Sequence, residues 1–462
     1  MPRSSPRLKS TGQDDKPTLE VSTPVLKDDI DDEVNTIRKT APKKRKTAKT
    51  IDSESEMNAQ EEAERPKKQT KATKKNATTT KKKTENDDND ADEKEKEVPK
   101  KKSKKAPVQC ITERDELPKL WTDSQAKANG SYTLKIATWN VAGLRAILKK
   151  DPHALATLVT SHNIDILCLQ ETKLQESHLD DPKLQLRGHL LEEQGYDAYY
   201  SCATAKKGYA GTAVFVKRRG AAGKKTAGKQ QQMDITSFFG KKKKKDDAKN
   251  DSKKATATAE ELPVDPKLLV PEQVTYGLGA KKHDGEGRVI VLDFPGFTMA
   301  NLYVPNSGQK LERLDYRTEE WDKDLVAFMQ AKQKERGVPV MWLGDLNVAH
   351  KHYEAYNFGA KHLDKQAGLT AQERASFQAQ LDAGFVDAFR HFHPNAKGHY
   401  TYWSQRAGNR EPNKGLRLDY FVCDSKMLDA DNSKVVARDS YMIPEQMGSD
   451  HGPAVLELEI KP

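Results

Sequence analysis

Aromatic side chains are absent from the first quarter of this 462-residue chain. The 14 Tyr, 12 Phe and 5 Trp all lie from Trp121 onward. Because aromatic residues bury large areas and dominate core energetics, we do not expect the segment before Trp121 to build a hydrophobic core. The rest of the chain, roughly 330 residues, is long enough to bury a substantial core without disulfides or metals, and we expect one large domain.

Residues 1–128 have the composition of a charge-rich tail. Lysine-rich runs such as 100–105 alternate with acidic runs such as 87–93, and this combination of low hydrophobicity and high charge favours disorder. The basic run at 42–46 is typical of a nuclear-import signal, and the alternative is a lysine run that merely solvates the tail. We expect a protein of the nucleus, whose basic tail adds sequence-independent contacts to phosphates.

The same composition disfavours several classes of protein. Apolar runs such as 164–169 are strand-sized, well short of the roughly 18–20 residues that span a membrane, and no secretory signal follows the first methionine. The four cysteines are Cys110, Cys168, Cys202 and Cys423. Their spacing contains no C-x-x-C pattern, which argues against a zinc module or a disulfide framework. The net charge of +10 is compatible with nucleic acid but also with solvated tails, so we expect an intracellular protein of otherwise open function.

From residue 134 the pattern changes to short apolar runs separated by Gly, Asn and Asp, which is typical of sheet strands. Helical patterns lie between them: residues 312–333 have apolar side chains near a 3.6-residue period, and Thr370 with Glu373 form a capping-box pattern. Strands alternating with helices predict an α/β fold. A lysine-rich stretch at 219–270 interrupts the pattern, and we expect a flexible surface insertion, since the cost of loop closure rises slowly with length.

Six strand-end segments carry polar side chains that packing alone does not require. They contain Asn140, Glu171, Tyr303 with Asn306, Asp345 with Asn347, Asp419, and Asp450 with His451. In an α/β sheet, strand ends gather residues that are distant in sequence into one site. Glu171 and Asp450, helped by Asn140, are hard oxygen donors that suit Mg²⁺, while the lack of a Cys/His cluster argues against zinc. The set therefore indicates metal-assisted phosphodiester hydrolysis.

The other members fit the remaining steps of such a reaction. Asp345 and Asn347 are suited to activate and orient the attacking water, and Asp419 is suited to hold His451 in one tautomer. Tyr303 and Asn306 supply donors for a phosphate oxygen or a leaving group. Taken singly, each residue has a structural explanation as a turn or cap residue, a structural Asp–His pair or a half-buried ring. Their joint occurrence favours catalysis.

The chain resembles the exonuclease III class of apurinic/apyrimidinic (abasic-site) endonucleases, within the endonuclease/exonuclease/phosphatase superfamily. Six runs carry the resemblance, WNVAGLRA, LQETK, YVPNSG, GDLNVAH, LDYF and SDHGP. The resemblance implies a four-layered α/β sandwich of the deoxyribonuclease I type over residues 129–462. It also implies a monomer that uses Mg²⁺, with Mn²⁺ as a substitute, to cut double-stranded DNA 5′ of an abasic site, leaving 3′-OH and 5′-deoxyribose phosphate ends. Activities as a 3′–5′ exonuclease and a 3′-phosphodiesterase are further expectations.

The resemblance also implies roles for the site residues. Asp345 exchanges a proton with the water, Asn347 stabilises the transition state, and His451, oriented by Asp419, contacts the scissile phosphate. The implied catalytic set is Tyr303, Asp345, Asn347, Asp419 and His451. The implied metal set, with Glu171 as the main ligand, is Asn140, Glu171, Asp345, Asn347, Asp450 and His451. Contacts to phosphate or DNA are expected from Asn140, Asn306, Arg145, Lys173, Tyr402 and Trp403.

Three positions depart from the family pattern. Ala142 stands where many animal members have Asp, so the metal site is expected to depend more on Glu171. Gln309 stands where those members have an Arg that inserts into DNA, and Leu416 where they have a Trp that lines the abasic pocket. The aromatic pair at 402–403 is retained. We expect product release and exonuclease tendency to differ while 5′ incision is kept.

The insertion contains a second motif. Residues 232–239, QMDITSFF, match the Q-x-x-Ψ-x-x-aromatic-aromatic peptide that docks on the replication sliding clamp. Its anchors are Gln232, Ile235, Phe238 and Phe239. The match alone is weak, since a chain of this length produces it by chance at roughly a few per cent. Because the aromatics of a lysine-rich loop lie inside it, the motif favours a partner anchor over a core fragment.

Other interpretations remain open. Within the superfamily, the alternatives are an enzyme that mainly processes 3′ ends and, more remotely, an inositol-phosphate phosphatase, although the contexts LDYF and SDHGP favour DNA over lipid headgroups. Outside catalysis, the alternative is a scaffold that binds the clamp or chromatin and has a degenerate site. The presence of all the strand-end residues argues against a degenerate site.

Overall fold

A computed structural model describes residues 110–181, 186, 190–219 and 263–462. The basic run at 42–46 and the clamp-type motif at 232–239 lie outside the described residues, as do most of the predicted tail and insertion. Within the part of the chain that the structure describes, no helix is long and apolar enough to cross a membrane.

The described residues form twelve strands and eight α-helices. The strands are β1 (Tyr132–Asn140), β2 (Ile166–Gln170), β3 (Tyr196–Ser201), β4 (Thr212–Lys217), β5 (Gln273–Tyr276), β6 (Val289–Phe294), β7 (Phe297–Tyr303), β8 (Val340–Asp345), β9 (Phe385–Asp387), β10 (Asp419–Asp424), β11 (Val435–Met442) and β12 (Ala454–Ile460). The helices are α1 (Asp123–Ala128), α2 (Leu144–Lys150), α3 (Ala154–Ser161), α4 (Glu176–Leu179), α5 (Lys281–Asp284), α6 (Asp322–Arg336), α7 (Ala371–Asp382) and α8 (Ala388–Phe392). Short 3₁₀ helices lie at Pro266–Leu269, His352–Glu354, Leu363–Lys365 and Ser425–Leu428.

The strands form two six-stranded mixed sheets. The first has the order β11-β12-β1-β2-β4-β3, and the second has the order β5-β6-β7-β8-β10-β9. Each sheet contains one parallel pair near its centre, β1 with β2 and β7 with β8, while the other neighbouring strands are antiparallel. Since parallel strands end at the same sheet edge, each central pair delivers the residues at its carboxyl ends to one edge.

The two sheets pack face to face around a shared apolar core. Ile136 and Leu456 of the first sheet belong to the same buried cluster as Met299, Leu343 and Phe421 of the second. Helices α2 and α3 cover the outer face of the first sheet, and α6 and α7 cover the outer face of the second. The predicted four-layered α/β sandwich is confirmed.

One predicted helix start is confirmed and another differs. The Thr370 side chain accepts from the backbone N–H of Glu373, and the Glu373 side chain accepts in return, which is the predicted capping box. The helix predicted over 312–333 instead opens with a π-helical turn at Tyr316–Trp321, and regular α-helix begins at Asp322. A π turn adds a residue to the repeat, and apolar periodicity at 3.6 residues does not reveal it.

Residues 110–128 belong to the folded domain, so the boundary predicted at 128 lies too late. Trp121 is 5% exposed, its Nε1 donates to Thr133 Oγ1 at 2.9 Å, and the Arg438 guanidinium covers its ring at 4.8 Å. Further upstream, the backbone N–H of Ile111 donates to a loop carbonyl of the domain. Backbone hydrogen bonds and one tryptophan attach this segment, and composition does not detect such attachments.

The insertion predicted at 219–270 likewise extends too far at its carboxyl end. Val264 and Leu269 are 4% and 1% exposed and belong to the core between the sheets. Between them, the Asp265 side chain caps the 3₁₀ helix at Pro266–Leu269. So few apolar residues after a long polar stretch form no readable period, which is why the sequence did not reveal their burial.

Replacing Trp121 with alanine is expected to lower the free energy of unfolding by about 3 kcal/mol, because it removes a large buried ring and leaves a cavity. Leu120→Ala is the control, since this neighbour is 38% exposed and should lose less than about 1 kcal/mol. Urea denaturation of the full-length variants measures both losses. Equal losses would contradict a core role for the segment before β1.

Candidate active site

Strand ends from both sheets meet and bring the predicted site residues together. β1 ends at Asn140, β7 at Tyr303 and β8 at Asp345. β10 begins at Asp419, which pairs in register with Asp345. His451, three residues before β12, forms an isolated bridge next to this edge. The site is thus assembled from residues that are far apart in the chain.

The side chain of Asn140 links two carboxylates. Its Nδ2 donates to Glu171 Oε2 at 3.2 Å and to Asp345 Oδ2 at 2.9 Å, so it joins the first sheet to the second. Its Oδ1 accepts from the backbone N–H of Ala142 at 2.9 Å, which fixes the orientation of the amide. Asn140, Glu171 and Asp345 are all buried. Three of the predicted residues therefore form one polar cluster in the interior.

Glu171 has two further partners at the site. Lys173 Nζ lies 2.6 Å from Glu171 Oε1, and the Tyr303 hydroxyl donates to Glu171 Oε2 at 3.2 Å. A cation and a phenol thus converge on one carboxylate from two different sheets. The residues predicted to contact phosphate lie directly beside the predicted main metal ligand.

The segment after β8 forms a tight turn around Asn347. The backbone N–H of Asn347 donates to Asp345 Oδ1 at 2.9 Å, and its Nδ2 donates to the carbonyl of Val304 at 3.0 Å. Asn306 Nδ2 donates to Asn347 Oδ1, also at 3.0 Å. These bonds hold Asp345, Asn347 and Asn306 side by side.

Several residues at the site have strained backbone. Four non-glycine residues adopt left-handed conformations there, Ala142 (φ +47°), Glu171 (φ +54°), Lys173 (φ +53°) and Asn347 (φ +48°). Such a conformation costs about 1–3 kcal/mol and persists only where the surrounding contacts over-determine it. The contacts around these residues therefore hold the site in a conformation that the local chain does not favour.

His451 and Asp419 form a buried pair, with His451 Nδ1 2.8 Å from Asp419 Oδ2. Trp139 Nε1 donates to the carbonyl of His451 at 3.0 Å, and Thr401 Oγ1 accepts from the backbone N–H of Asp419 at 3.1 Å. Burial alone would lower the pKa of His451, but the charge and hydrogen bond of Asp419, together with the charge of Asp345, raise the pKa to about 10. The imidazole is therefore a cationic hydrogen-bond donor at neutral pH.

The carboxyl group of Asp345 has a pKa close to neutral pH. Burial raises the pKa of Asp345 to about 7; the cationic His451 opposes this rise and the Asp419 carboxylate adds to it. Hydrogen bonds from Asn347 and Asn140 also favour its ionised form. A carboxyl group whose pKa lies near neutrality is suited to both accept and return a proton.

The remaining candidates lie toward the surface. Asp450 is half-buried, and its Oδ1 accepts from Ser449 Oγ at 3.2 Å. Arg145 is exposed at the start of α2, and 30% of the Lys173 side chain is exposed. The positive charges of Arg145 and Lys173 are therefore accessible to a polyanion.

A small apolar cluster adjoins the His451 side of the site. The Tyr402 ring lies 5.1 Å from the His451 imidazole, and Tyr402 forms antiparallel bridges with both His451 and Leu416. Leu416 and Leu418 pack with Tyr402 in this cluster. Leu416 stands where many animal members of the family have tryptophan. It therefore lies next to Tyr402, which contacts His451.

Trp403 lies differently from its predicted role at the DNA surface. It is 2% exposed, its Nε1 donates to Asn413 Oδ1 at 3.0 Å, and the Arg410 guanidinium covers its ring at 4.7 Å. Its neighbour in the pair faces the site, whereas Trp403 packs inside the loop. Adjacent residues in extended chain point to opposite sides, so the aromatic pair divides between the site and the interior.

The donor set fits a hard cation that keeps most of its own waters. Within the described residues, no group of three or more His, Cys, Asp or Glu side chains is placed to hold a metal. Mg²⁺ is commonly held through one or two carboxylates plus waters and substrate phosphates, whereas structural zinc needs four protein ligands. Glu171 and Asp345 supply carboxylate oxygens of the first kind. Asn140, a predicted ligand, instead presents its Nδ2 to both carboxylates, and its Oδ1 accepts from the Ala142 N–H.

Comparison with known proteins agrees with this geometry. The Endonuclease/Exonuclease/phosphatase family matches residues 137–231 and 268–451. A DNA-(apurinic or apyrimidinic site) endonuclease of Dictyostelium discoideum is 34% identical over 328 residues, which cover 71% of this chain and 71% of the relative. The chain belongs to the endonuclease/exonuclease/phosphatase family.

Two further similarities narrow the class within the endonuclease/exonuclease/phosphatase family. An exodeoxyribonuclease of Bacillus subtilis is 34% identical over 327 residues, which cover 71% of this chain and all of the relative. A crystal structure of an AP endonuclease from Leishmania major superposes with a TM-score of 0.56 at 28% identity, covering 75% of this chain and 92% of that one. The predicted membership of the exonuclease III class of AP endonucleases is confirmed.

Sequence reasoning missed polar residues away from the strand ends that support the site of this endonuclease/exonuclease/phosphatase family member. Arg410 is one example, since its guanidinium donates to the carbonyls of Ser449, Pro444 and Gln446 in the loop before His451. Thr401, which holds the backbone of Asp419, is another. Neither follows an apolar strand run, so the strand-end criterion could not find them.

A buried ion network supports the loop that leads into Asp419. Arg417 Nε and Nη2 contact Glu354 at 2.6 and 2.7 Å, and Arg390 Nε contacts Glu354 at 2.6 Å. Arg417 Nη2 also lies 2.5 Å from Asp387 Oδ2. Burial would raise the pKa of Glu354, but the charge and hydrogen bonds of Arg417 and Arg390 outweigh burial and lower it to about 2.

This lowered pKa predicts a loss of stability in acid. The contribution of the ionised Glu354 is fully present above its ordinary pKa of 4.5 and is lost as the pH falls towards about 2. Glu354→Gln should lower the free energy of unfolding at pH 7 by about 3 kcal/mol, because it leaves buried guanidinium groups unpaired. The difference between the variant and the wild type should shrink between pH 4.5 and pH 2.

Urea denaturation at a series of pH values measures this difference. Glu319→Gln, a change in a carboxylate whose side chain is 56% exposed, is the control and should give a difference of less than about 0.5 kcal/mol at every pH. A Glu354→Gln effect that stayed constant down to pH 2 would contradict the assigned cause.

Proposed function

We propose that this chain is a Mg²⁺-dependent DNA repair nuclease that hydrolyses the phosphodiester bond 5′ of an abasic site, leaving 3′-OH and 5′-deoxyribose phosphate ends. The observation that carries the proposal is the registered pairing of Asp345 with Asp419 at one sheet edge. This pairing sets a carboxyl group of near-neutral pKa beside the cationic His451. The names of the relatives from Dictyostelium discoideum and Leishmania major support an abasic-site substrate.

The attacking water is assigned to Asp345 and Asn347. Asp345 accepts the proton of the water, and its pKa of about 7 lets it take up and release that proton near neutral pH. Asn347 is held through its backbone and side chain against Asp345 and Asn306, so its amide orients the water without having to reorganise.

The scissile phosphate is assigned to His451. Asp419 accepts from Nδ1, which leaves Nε2–H of the imidazolium as the donor to a phosphate oxygen. Because the pair is buried and fixed by Thr401 and Trp139, this donor is in place before charge develops in the transition state.

The leaving group is assigned to the side of the site that contains Glu171. Glu171, held in place by a hydrogen bond from Asn140 Nδ2, would hold Mg²⁺, which when bound would neutralise charge on the phosphate and leaving oxygens. Tyr303 and Lys173 lie within reach of the same carboxylate and add hydrogen-bond donors there. The apolar cluster of Tyr402, Leu416 and Leu418 beside His451 offers a surface for a sugar that has no base.

Asp345→Asn is the decisive variant. It should lower kcat for cutting a duplex with a single tetrahydrofuran site by about 10²- to 10⁴-fold, because an amide cannot accept the proton of the water. KM should change little, since the amide keeps the shape of the carboxyl group. Gel analysis of the end-labelled duplex in Mg²⁺ measures both constants and identifies the product ends.

Asp424→Asn is the matched control, because Asp424 is an equally buried aspartate at the opposite end of β10. This variant should keep kcat within about twofold of the wild type. Near-normal cutting by Asp345→Asn would reject its assigned role. A wild-type chain that leaves the duplex uncut would reject the proposed function itself.

A 3′–5′ exonuclease or 3′-phosphodiesterase activity is the second candidate. Its support is the name of the relative from Bacillus subtilis, an exodeoxyribonuclease. The match covers the whole length of that relative. The same residues would serve this reaction, since 3′-end processing and cutting at an abasic site both hydrolyse a phosphodiester bond. The two activities are ranked by comparing the cutting rates for a recessed 3′ end and a 3′-blocked nick with the rate for the tetrahydrofuran duplex.

We also infer that the chain acts in the nucleus and binds the replication sliding clamp. The basic run at 42–46 supports nuclear import, and the QMDITSFF motif at 232–239 supports clamp binding. A clamp-bound nuclease would be retained on duplex DNA, which is where its proposed substrate occurs.

Replacing Phe238 and Phe239 together with alanine should weaken clamp binding by at least about tenfold, because aromatic anchors provide most of the energy of such peptides. Met233→Ala changes a position that the motif leaves open, so it should keep full affinity. Calorimetry of the full-length chain with the clamp measures both. Unchanged affinity in the double variant would reject the motif, while cutting of abasic DNA without the clamp should be unaffected.

A further inference from the structure

The π-helical turn before α6 carries a buried arginine that reaches the catalytic segment. Arg317, the second residue of the turn at Tyr316–Trp321, is 1% exposed. Its Nη1 donates to the carbonyl of Asn347, and its Nη2 donates to the carbonyl of Leu346, both at 2.6 Å. One guanidinium therefore binds two successive peptide groups of the turn that follows Asp345.

These two carbonyls belong to a strained segment. Asn347 has φ of +48°, its N–H donates to Asp345, and its Nδ2 donates to Val304. The two bonds from Arg317 restrain the same turn from its other side. Because a left-handed residue keeps its conformation only while several contacts impose it, Arg317 supplies part of the restraint that places Asn347 beside Asp345.

The short hydrogen bonds of the guanidinium go to this segment rather than to carboxylates. Nε lies 3.8 Å from Asp322 Oδ2, and Nη1 lies 3.9 Å from Glu373 Oε1, both too long for hydrogen bonds. Among the described residues, Nε has no hydrogen-bond partner. The two carboxylates balance the buried charge from a distance, while the directional bonds end on the Leu346 and Asn347 carbonyls.

The geometry requires an arginine at a rigid position. A planar guanidinium presents parallel donors that reach two adjacent carbonyls, whereas an ammonium group is a single point of attachment. The turn itself is held in place, since Thr318 Oγ1 donates to the carbonyl of Leu314 and Gln372 Nε2 donates to Thr318 Oγ1. π-helical turns occur frequently at functional sites, and here the turn directs Arg317 towards the active site.

We propose that Arg317 is a positioning residue for phosphodiester hydrolysis, which it supports by clamping the Leu346 and Asn347 carbonyls so that Asp345 and Asn347 keep the geometry needed for the attacking water. The inference rests on the proposed function. Arg317 lies behind the segment, so it acts through Asn347 and does not contact substrate. Its loss should therefore affect the chemical step more than substrate binding.

Arg317→Gln and Arg317→Lys test this role in the full-length chain with the tetrahydrofuran duplex in Mg²⁺. Arg317→Gln should lower kcat by about 10- to 100-fold with KM within about twofold, because small misplacements of catalytic groups are costly to rate. Arg317→Lys can reach one carbonyl and should recover part of kcat. All rates are taken at a temperature where circular dichroism shows each variant to be folded.

Arg336→Gln is the matched control. Arg336 is the last residue of α6, and its Nη1 also donates to two backbone carbonyls, Phe294 at 2.9 Å and Phe297 at 3.3 Å. This arginine supports the end of the second sheet opposite the site, so its variant should lose stability but keep kcat within about twofold.

The outcomes separate this inference from the function on which it rests. A reduced kcat in Arg317→Gln, partial recovery in Arg317→Lys and normal kcat in Arg336→Gln support the positioning role. Equal kcat losses in the Arg317 and Arg336 variants, or unchanged kcat in Arg317→Gln, overturn it while wild-type cutting persists. If Arg317→Gln does not fold, a wild-type kcat in Arg317→Lys overturns it. Absence of cutting by the wild type overturns the proposed function and this inference together.

Discussion

Hydrogen bonds from buried side-chain amides align the two sheets on which the site depends. Gln170 Nε2 donates to Asn301 Oδ1 at 2.7 Å, and Asn301 Nδ2 donates to two backbone carbonyls of the first sheet. Asn140 adds the link to Asp345. Apolar packing is not directional, whereas sliding one sheet over the other would leave these buried amides unpaired, at a cost of about 1–3 kcal/mol each. The amides therefore favour the one alignment in which the strand ends meet.

With that alignment in place, neighbouring residues hold the side chains of the site through hydrogen bonds within the protein. Contacts with neighbouring residues keep the backbone of Glu171 and Asn347 left-handed. The hydrogen bond to Asp419 fixes which nitrogen of His451 faces Asp419 and which is left for other partners. Fixed donors and charges stabilise a transition state at little reorganisation cost. The side chains that bind the backbone at Asp419 and Asn347, those of Thr401 and Arg317, are buried and polar, and their hydrogen bonds restrain the backbone of the candidate site.

Much of the fold and most of the candidate site could be predicted from local patterns. Alternation of apolar runs with helical periods indicated the layered α/β fold, the capping box marked the start of α7 at Thr370, and strand-end residues identified Asn140 and Asp345 as neighbours. The failures have a common cause. Trp121 and its segment, the π-helical turn at Tyr316–Trp321 and the inward packing of Trp403 all depend on contacts with distant parts of the chain.

The amino-acid sequence by itself determined which residue types were available, where strands and helices form, and to which family the chain belongs, because these depend on local periodicity and on short motifs. The tertiary structure alone decided the distances between those residues and the pKa values of their side chains. Asn140 and Asp345 are 205 positions apart in the chain but share a hydrogen bond. Burial raises the pKa of Asp345 to about 7, whereas the charges of Asp419 and Asp345, against the effect of burial, raise that of His451 to about 10. A pKa is set by solvent exclusion and by charges within a few ångströms, and those neighbours come from both sheets, so they exist only once the chain has folded.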